Sequence, residues 1–335
     1  MIKTTLLAAA LALCGVASVA VPAKAQQTLR LGHYFATEDF RGRTAQHLAD
    51  KVNEMNVGLN VHVYPNESLV KGREALQATS QGVVDLYSVY AGYLSGQVPL
   101  INIFSLPFPP DSYDDAAMYK LAQDPKTVAL LDKTFERFGV KYLGAINSSG
   151  PAQLFLNREV KNVFGIKGMK LRGAGGLSDE GLSQLGASVV MLSAAEQFLA
   201  LQTGTVDGIE TTWSSYINYG LAKVAPVYVA STVVRSPYLL LMNKAKYDSL
   251  SDAQKTALQE AVTDTISWSK THFDEEQNKL LAKVEQEAKT IVRVSPEENA
   301  ELRKQMQPIY EGFVTRNGEI GQALMQRWKD VSGLD

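Results

Sequence analysis

The side chains that most often carry chemistry are present in this chain without the spacing that chemistry needs. His33, His47, His62 and His272 are scattered, and none has a second His or a Cys at a metal-ligand spacing. Ser148 and Ser149 precede Gly150 but lie in no Gly-x-Ser-x-Gly elbow, and no complementary His and Asp motif accompanies them. Gly173-Ala174-Gly175-Gly176 has the composition of a phosphate cradle, yet it lacks the Lys-Ser/Thr of a P-loop and the six-residue dinucleotide fingerprint. It reads as a turn into a helix that Ser178 caps. With no titratable pair marked out for acid–base work, the sequence predicts a protein that binds rather than transforms, without metal or cofactor.

One spacing does recur. Glu74, Gly82 and Asp85 stand at offsets 0, 8 and 11, and so do Glu196, Gly204 and Asp207. Glu74-Ala75-Leu76-Gln77 and Ala200-Leu201-Gln202 fall inside the two copies. The pattern predicts one device used twice: a short helix, a glycine at positive φ, and a strand.

The elements around it follow from periodicity. Thr28 to Tyr34 reads as a strand, Phe40 to Met55 as a helix, Leu59 to Tyr64 as a strand, Gly72 to Ser80 as a helix and Val83 to Val89 as a strand. A second unit starts near Lys141, with strands at Tyr142 to Ile146 and Gln153 to Leu156 flanking a turn at Asn147-Ser148-Ser149-Gly150-Pro151. Alternating strands and helices argue for α/β architecture with parallel strands and binding loops at their ends. Asp252 to about Ile291 contains neither Gly nor Pro and keeps an apolar stripe, which predicts a helix of about 50 Å, long enough to brace two lobes.

Residues 1–25 have the layout of a secretory leader. Lys3 is followed by an apolar run to Val21 and by Ala23-Lys24-Ala25, which places cleavage before Gln26. The only cysteine, Cys14, lies in that leader, so neither a disulfide nor a thiolate metal site is available to the remainder. Removing Lys3 and Lys24 takes the formal charge from −2 to −4, which disfavours a nucleic-acid partner, and no later window suits direct membrane insertion.

Taken together, the leader, Val63-Tyr64-Pro65, the Glu-Ala-Leu-Gln…Gly-Val-Val-Asp segment, Gly168-Met169-Lys170-Leu171-Arg172 and Glu196 through Glu210 resemble the substrate-binding subunits of TRAP transporters. The likeness is greatest to the branch first known for C4-dicarboxylate and sialic acid uptake. It implies a two-lobed periplasmic binding protein fold with crossing hinge strands and a long helix spanning both lobes. The expected division is lobe I at 26–150 and about 235–270, and lobe II at 151–234 and about 271–335. It also implies a periplasmic protein that hands a small organic carboxylate to TRAP membrane subunits. A ligand sensor for a receptor kinase and a periplasmic enzyme are the alternatives.

The resemblance assigns Arg172 as a clamp on the ligand carboxylate, a task that suits a guanidinium because its donors meet both oxygens in parallel. Two departures bear on specificity. The additional arginine common before the strand at Gln153 is replaced by Ala152, and an asparagine common after the glutamate is replaced by Thr211. A monocarboxylate with an apolar or aromatic body is therefore expected over a dicarboxylate. Tyr34, Tyr90, Trp213 and Tyr216 are the candidate walls, Gln153 and Thr211 the candidate polar contacts, and Glu74 a group orienting the cleft.

Overall fold

The computed structural model describes residues 26–334, so the leader and its cleavage position lie outside the described residues. The chain opens with strand β1 (Gln27–Gly32), helix α1 (Phe40–Glu54), β2 (Leu59–Tyr64), α2 (Ala75–Ser80) and β3 (Leu86–Tyr90). Helices α3 (Asp115–Gln123) and α4 (Pro125–Glu136) lead into the long strand β4 (Val140–Leu156). The same alternation then returns as β5 (Lys170–Gly173), α5 (Leu177–Gln184), β6 (Ser188–Met191), α6 (Gln197–Gln202) and β7 (Gly208–Thr212). Helix α7 (Trp213–Asn218), strand β8 (Val227–Asn243), helices α8 (Lys244–Asp248) and α9 (Asp252–Glu287), β9 (Thr290–Arg293) and α10 (Pro296–Ser332) complete it.

The strand order, β2-β1-β3-β8-β4-β7-β5-β6, is nearly a mirror of itself. β1 pairs in parallel with β2 and β3, β5 pairs in parallel with β6 and β7, and the antiparallel strands β8 and β4 lie between the two sets. The recurring Glu-Gly-Asp spacing is what builds each set. Gly82 and Gly204 take φ of 70° and 69° after α2 and α6. Asp85 then accepts from the Arg30 amide at 2.8 Å and Asp207 from the Lys170 amide at 2.8 Å, so each aspartate ties its strand to the lobe's first strand in the same way.

Three local expectations change. Asn147 to Pro151 is not a turn; it lies inside the 17-residue β4. β8 runs beside it throughout and supplies backbone partners across a register shift between Ser148 and Pro151, where Gly150 has φ 68°. Ser178 sits within α5, whose cap is Gly176 at φ 89°. The long helix stops at Glu287, because Ile291 is drawn into β9 against Tyr228 of β8.

Helix α9 still spans both lobes. Its first half packs Leu258, Ala261 and Val262 with Leu48 and Val52 of α1, and its last turns bring Val284 to Phe155, Ile209 and Tyr216. α10 bends at Gly318, whose φ of 57° and ψ of −142° are non-helical.

A buried ion pair joins the two halves. Asp39 caps α1, and its carboxylate takes Arg41 Nη2 at 2.6 Å and Nε at 2.7 Å in a two-point geometry. From α7 on the other side, Ser214 Oγ and Asn218 Nδ2 donate to Asp39 at 2.7 and 2.6 Å. Arg41 Nη1 donates to the Tyr238 hydroxyl at 2.8 Å, and the guanidinium lies 4.5 Å above the Phe35 ring. Burial alone would raise the Asp39 pKa, but the Arg41 charge and the hydrogen bonds from Arg41 and Ser214 outweigh it and bring the carboxyl down to about 2.

Removing one partner strands the other. Arg41→Ala is expected to lower the unfolding free energy in urea at neutral pH by about 3–5 kcal/mol, and the combined Asp39→Asn/Arg41→Met variant by less. Because the folded pKa lies below the ordinary aspartate value, the pair's contribution is complete above about pH 4 and is lost as pH falls through about 2. A stability gap between the parent and the combined variant that does not shrink over that acid range would contradict this assignment.

Candidate ligand-binding site

The carboxyl ends of β3, β5 and β7 converge between the lobes, where the α/β rule places ligands. They enclose a small chamber with about 30 Å³ of free volume, lined by Tyr34, Tyr90, Tyr93 and Tyr238 on one side and by Arg172, Gln197, Glu210, Thr211, Thr212 and Ser215 on the other, with Ala152, Ala174 and Ala194 between them. The lobes meet closely at its rim. A Cβ on Gly92 would lie 3.1 Å from the Gly175 carbonyl oxygen, and one on Gly175 2.7 Å from that of Gly92, so only glycines fit. The Ala194 amide donates to the Tyr93 hydroxyl at 3.0 Å across the same gap.

Arg172 is 2% exposed and is held by neutral groups. Nε donates to the Leu192 carbonyl at 2.9 Å and Nη1 to the Glu210 carbonyl at 2.6 Å, both from neighbouring segments of the lobe. Among the described residues no carboxylate oxygen comes within 4.0 Å of it and no acceptor meets its Nη2. A buried guanidinium fixed by dipoles, with no carboxylate in contact, keeps donors available for an anionic group.

Two carboxyl groups stand farther off. Asp179 accepts from the Gly175 amide at 3.1 Å, and Glu210 is fully buried. Neither Glu210 oxygen has a well-formed hydrogen bond; the Ser178 hydroxyl and Ala174 amide come near enough to lower its pKa only slightly. Burial, then the Asp179 charge, pushes the Glu210 carboxyl up against the opposing pull of Arg172, and burial likewise raises Asp179. The Glu210 carboxyl, pushed up to about 8, therefore holds its proton at neutral pH, whereas Asp179, pushed up to about 6, is largely ionised there.

Of the residues singled out from the sequence, Arg172, Tyr34, Tyr90 and Thr211 border the chamber. Gln153, Trp213, Tyr216 and Glu74 do not. Ala152 and Glu210 face the chamber and Gln153 is turned away by strand alternation; its Oε1 accepts from Trp213 Nε1 at 3.1 Å and from the Tyr228 hydroxyl. Tyr216 is core, stacked on Phe155 at 4.0 Å, with its hydroxyl donating to the Ala225 carbonyl at 3.1 Å. Glu74 is exposed on a separate groove with Lys71, Arg73 and Glu196. Tyr93, Gln197 and Tyr238 also border the chamber and are not singled out by the sequence. Tyr238 is brought opposite Tyr90 by the β3–β8 register, which nothing local in the sequence reveals; Gln197 carried a signal, a polar residue on the buried stripe of α6.

Comparison with known proteins gives a consistent result. The family model described as bacterial extracellular solute-binding protein, family 7, matches residues 31–317. The C4-dicarboxylate-binding periplasmic protein DctP of Rhodobacter capsulatus is 27% identical over 311 residues, covering 90% of this chain and 91% of the relative. Two solved structures superpose with TM-scores of 0.82. A TRAP periplasmic solute-binding protein from Xanthobacter autotrophicus with bound β-D-galacturonate is 21% identical and matches 92% of this chain and all of its own. A Bordetella pertussis extracytoplasmic solute receptor binding pyroglutamic acid is 20% identical and matches 91% of this chain and all of its own.

The raised Glu210 pKa sets a pH dependence. Its proton is held at neutral pH and lost under alkaline conditions, when the new charge opposes a bound carboxylate, so ligand affinity should fall as pH rises there. Glu210→Gln fixes the neutral state and should flatten that fall without weakening binding at neutral pH. A titration by calorimetry from neutral to alkaline pH checks this; parallel curves for the parent and Glu210→Gln would remove Glu210 as the cause.

Proposed function

As a member of the bacterial extracellular solute-binding protein family 7, the chain is a TRAP-type binding protein and not an enzyme, and we propose that it captures a compact organic monocarboxylate in the periplasm and delivers it to TRAP membrane subunits. The observation that carries the ligand class is Arg172, a buried guanidinium held by two carbonyls and bordering the chamber with no carboxylate in contact. A ligand carboxylate supplies that contact and takes the donors left over.

The preference for one carboxylate rests on the rest of the lining. Arg172 is the one cation among the chamber residues, and Ala152 stands where a second arginine would answer a second carboxylate. Arg41 lies close behind Tyr238, but Asp39 already neutralises it. Tyrosines from one lobe offer flat walls to a small ring or chain. Galacturonate and pyroglutamate, held by the two similar structures, each carry one carboxylate.

Capture proceeds by closure. We assign residues 26–150 with about 235–270 to one moving lobe and 151–234 with about 271–335 to the other, turning on β4, β8 and α9. Ligand bridging Arg172 and the tyrosines favours the closed form only through contacts the open form lacks. The closed form presents the surface that docks on the transporter.

The test is a thermal-shift screen of the protein from Gln26 onward against mono- and dicarboxylates, with Arg172→Ala and Arg172→Lys alongside. Ligand at ~100 times its dissociation constant adds about 2.7 kcal/mol to parent stability. Monocarboxylates should stabilise the parent, Arg172→Ala should not respond, and Arg172→Lys should respond weakly, having charge without the two-point fork. Stabilisation by dicarboxylates alone would overturn the role given to Ala152; no response to any carboxylate would overturn the clamp.

A further inference from the structure

The chamber contains a polar group that the carboxylate clamp leaves unused. Gln197 begins α6 and is 0% exposed, yet neither its Oε1 nor its Nε2 has a hydrogen-bond partner in the protein. It lies on the buried stripe of that helix with Ala200 and Leu201, where an apolar side chain would serve packing better. The internal repeat supplies the comparison: in α2, the first helical residue is Ala75, apolar and 0% exposed. A carboxamide at this place in one lobe alone, bordering the chamber, is costly to the protein unless something fills its hydrogen bonds.

We propose that Gln197 determines specificity by reading the body of the ligand, and that the ligand class is a lactam or imide carboxylate, in which a ring N–H and C=O stand side by side. The inference rests on the carboxylate clamp at Arg172 and adds the second recognition point. A carboxamide presents one acceptor and one donor in a single plane, the pattern with which a glutamine meets a purine edge through two parallel hydrogen bonds. A single hydroxyl or ether on the ligand satisfies one of the two atoms. A cis amide satisfies both, with Nε2 donating to the ligand carbonyl and the ligand N–H donating to Oε1. The narrow chamber, with Ala152, Ala174 and Ala194 giving smooth contact, favours a small flat ring over an extended chain.

The experiment compares three rings of nearly equal shape by calorimetry on the parent, Gln197→Leu and Arg172→Lys: pyroglutamate in both enantiomers, its lactone isostere, and cyclopentanecarboxylate. Gln197→Leu conserves volume and removes both polar atoms, so its fold is checked by circular dichroism and is expected to be intact. The parent should bind one pyroglutamate enantiomer about 10- to 100-fold more tightly than cyclopentanecarboxylate, with the lactone between them. Gln197→Leu should reduce that preference to about threefold or less and bind cyclopentanecarboxylate more tightly than the parent does. Arg172→Lys should weaken all three together. If the parent binds all three alike, or if Gln197→Leu keeps the parent's preference, Gln197 is not the reader and an ordered water satisfies it, while the clamp stands. Binding of hydroxy acids such as lactate, dependent on Gln197, with no binding of the lactam, would overturn the ligand class. If no carboxylate binds the parent, the clamp falls and this inference with it.

Discussion

A buried guanidinium with no carboxylate in contact with it is the constraint on which the proposed site depends. Arg172 is kept out of water by both lobes and held in place by the carbonyls of Leu192 and Glu210, which fix its direction without cancelling its charge. Desolvating an unpaired guanidinium is expensive, and a lobe that closed over it with nothing bound would bear that cost in full. On the proposed function, charge complementarity couples closure to capture. Glu210 preserves the arrangement because burial keeps its proton in place; an ionised Glu210 would add a second negative charge beside that of Asp179 and oppose an anionic ligand.

The Asp39–Arg41 pair shows the opposite solution to the same problem. Here the charges meet in a two-point geometry, Ser214 and Asn218 complete the carboxylate's hydrogen bonds from the second lobe, and Tyr238 completes those of the guanidinium. One buried arginine is satisfied within the protein and contributes to holding the lobes together; the other keeps donors free, which the proposed function assigns to the ligand. Tyr238 links the two, since it accepts from Arg41 and forms part of the chamber wall.

The two lobes are built alike but used differently. The Glu-Gly-Asp device ties β3 to β1 and β7 to β5 by the same aspartate-to-amide bond, giving two similar parallel units on either side of β8 and β4. Onto those equivalent frames the chain places aromatic walls in one case and charged and amide groups in the other. Architecture and recognition thus vary independently, as expected where a stable sheet carries its ligand groups at strand ends.

Local order was legible in the sequence because periodicity and glycine chemistry act over a few residues. It determined the strand–helix alternation, the doubled Glu-Gly-Asp device and the long helix across two cores, whereas Arg172 stands out only through the family resemblance of its Lys-x-Arg strand end. What it could not decide was anything fixed by partners distant along the chain. Asn147 to Pro151 reads as a turn until β8 supplies a ladder beside it; strand alternation keeps Gln153 off the chamber, and Trp213, the first residue of α7, is bonded to it there. Tyr238 reaches the chamber only because its register with Tyr90 places it there, and Gln197 becomes conspicuous only once its burial and its missing partners are known. Side-chain type and spacing are local properties, whereas burial, facing and hydrogen-bond satisfaction belong to the assembled sheet, and those decide which groups remain for a ligand.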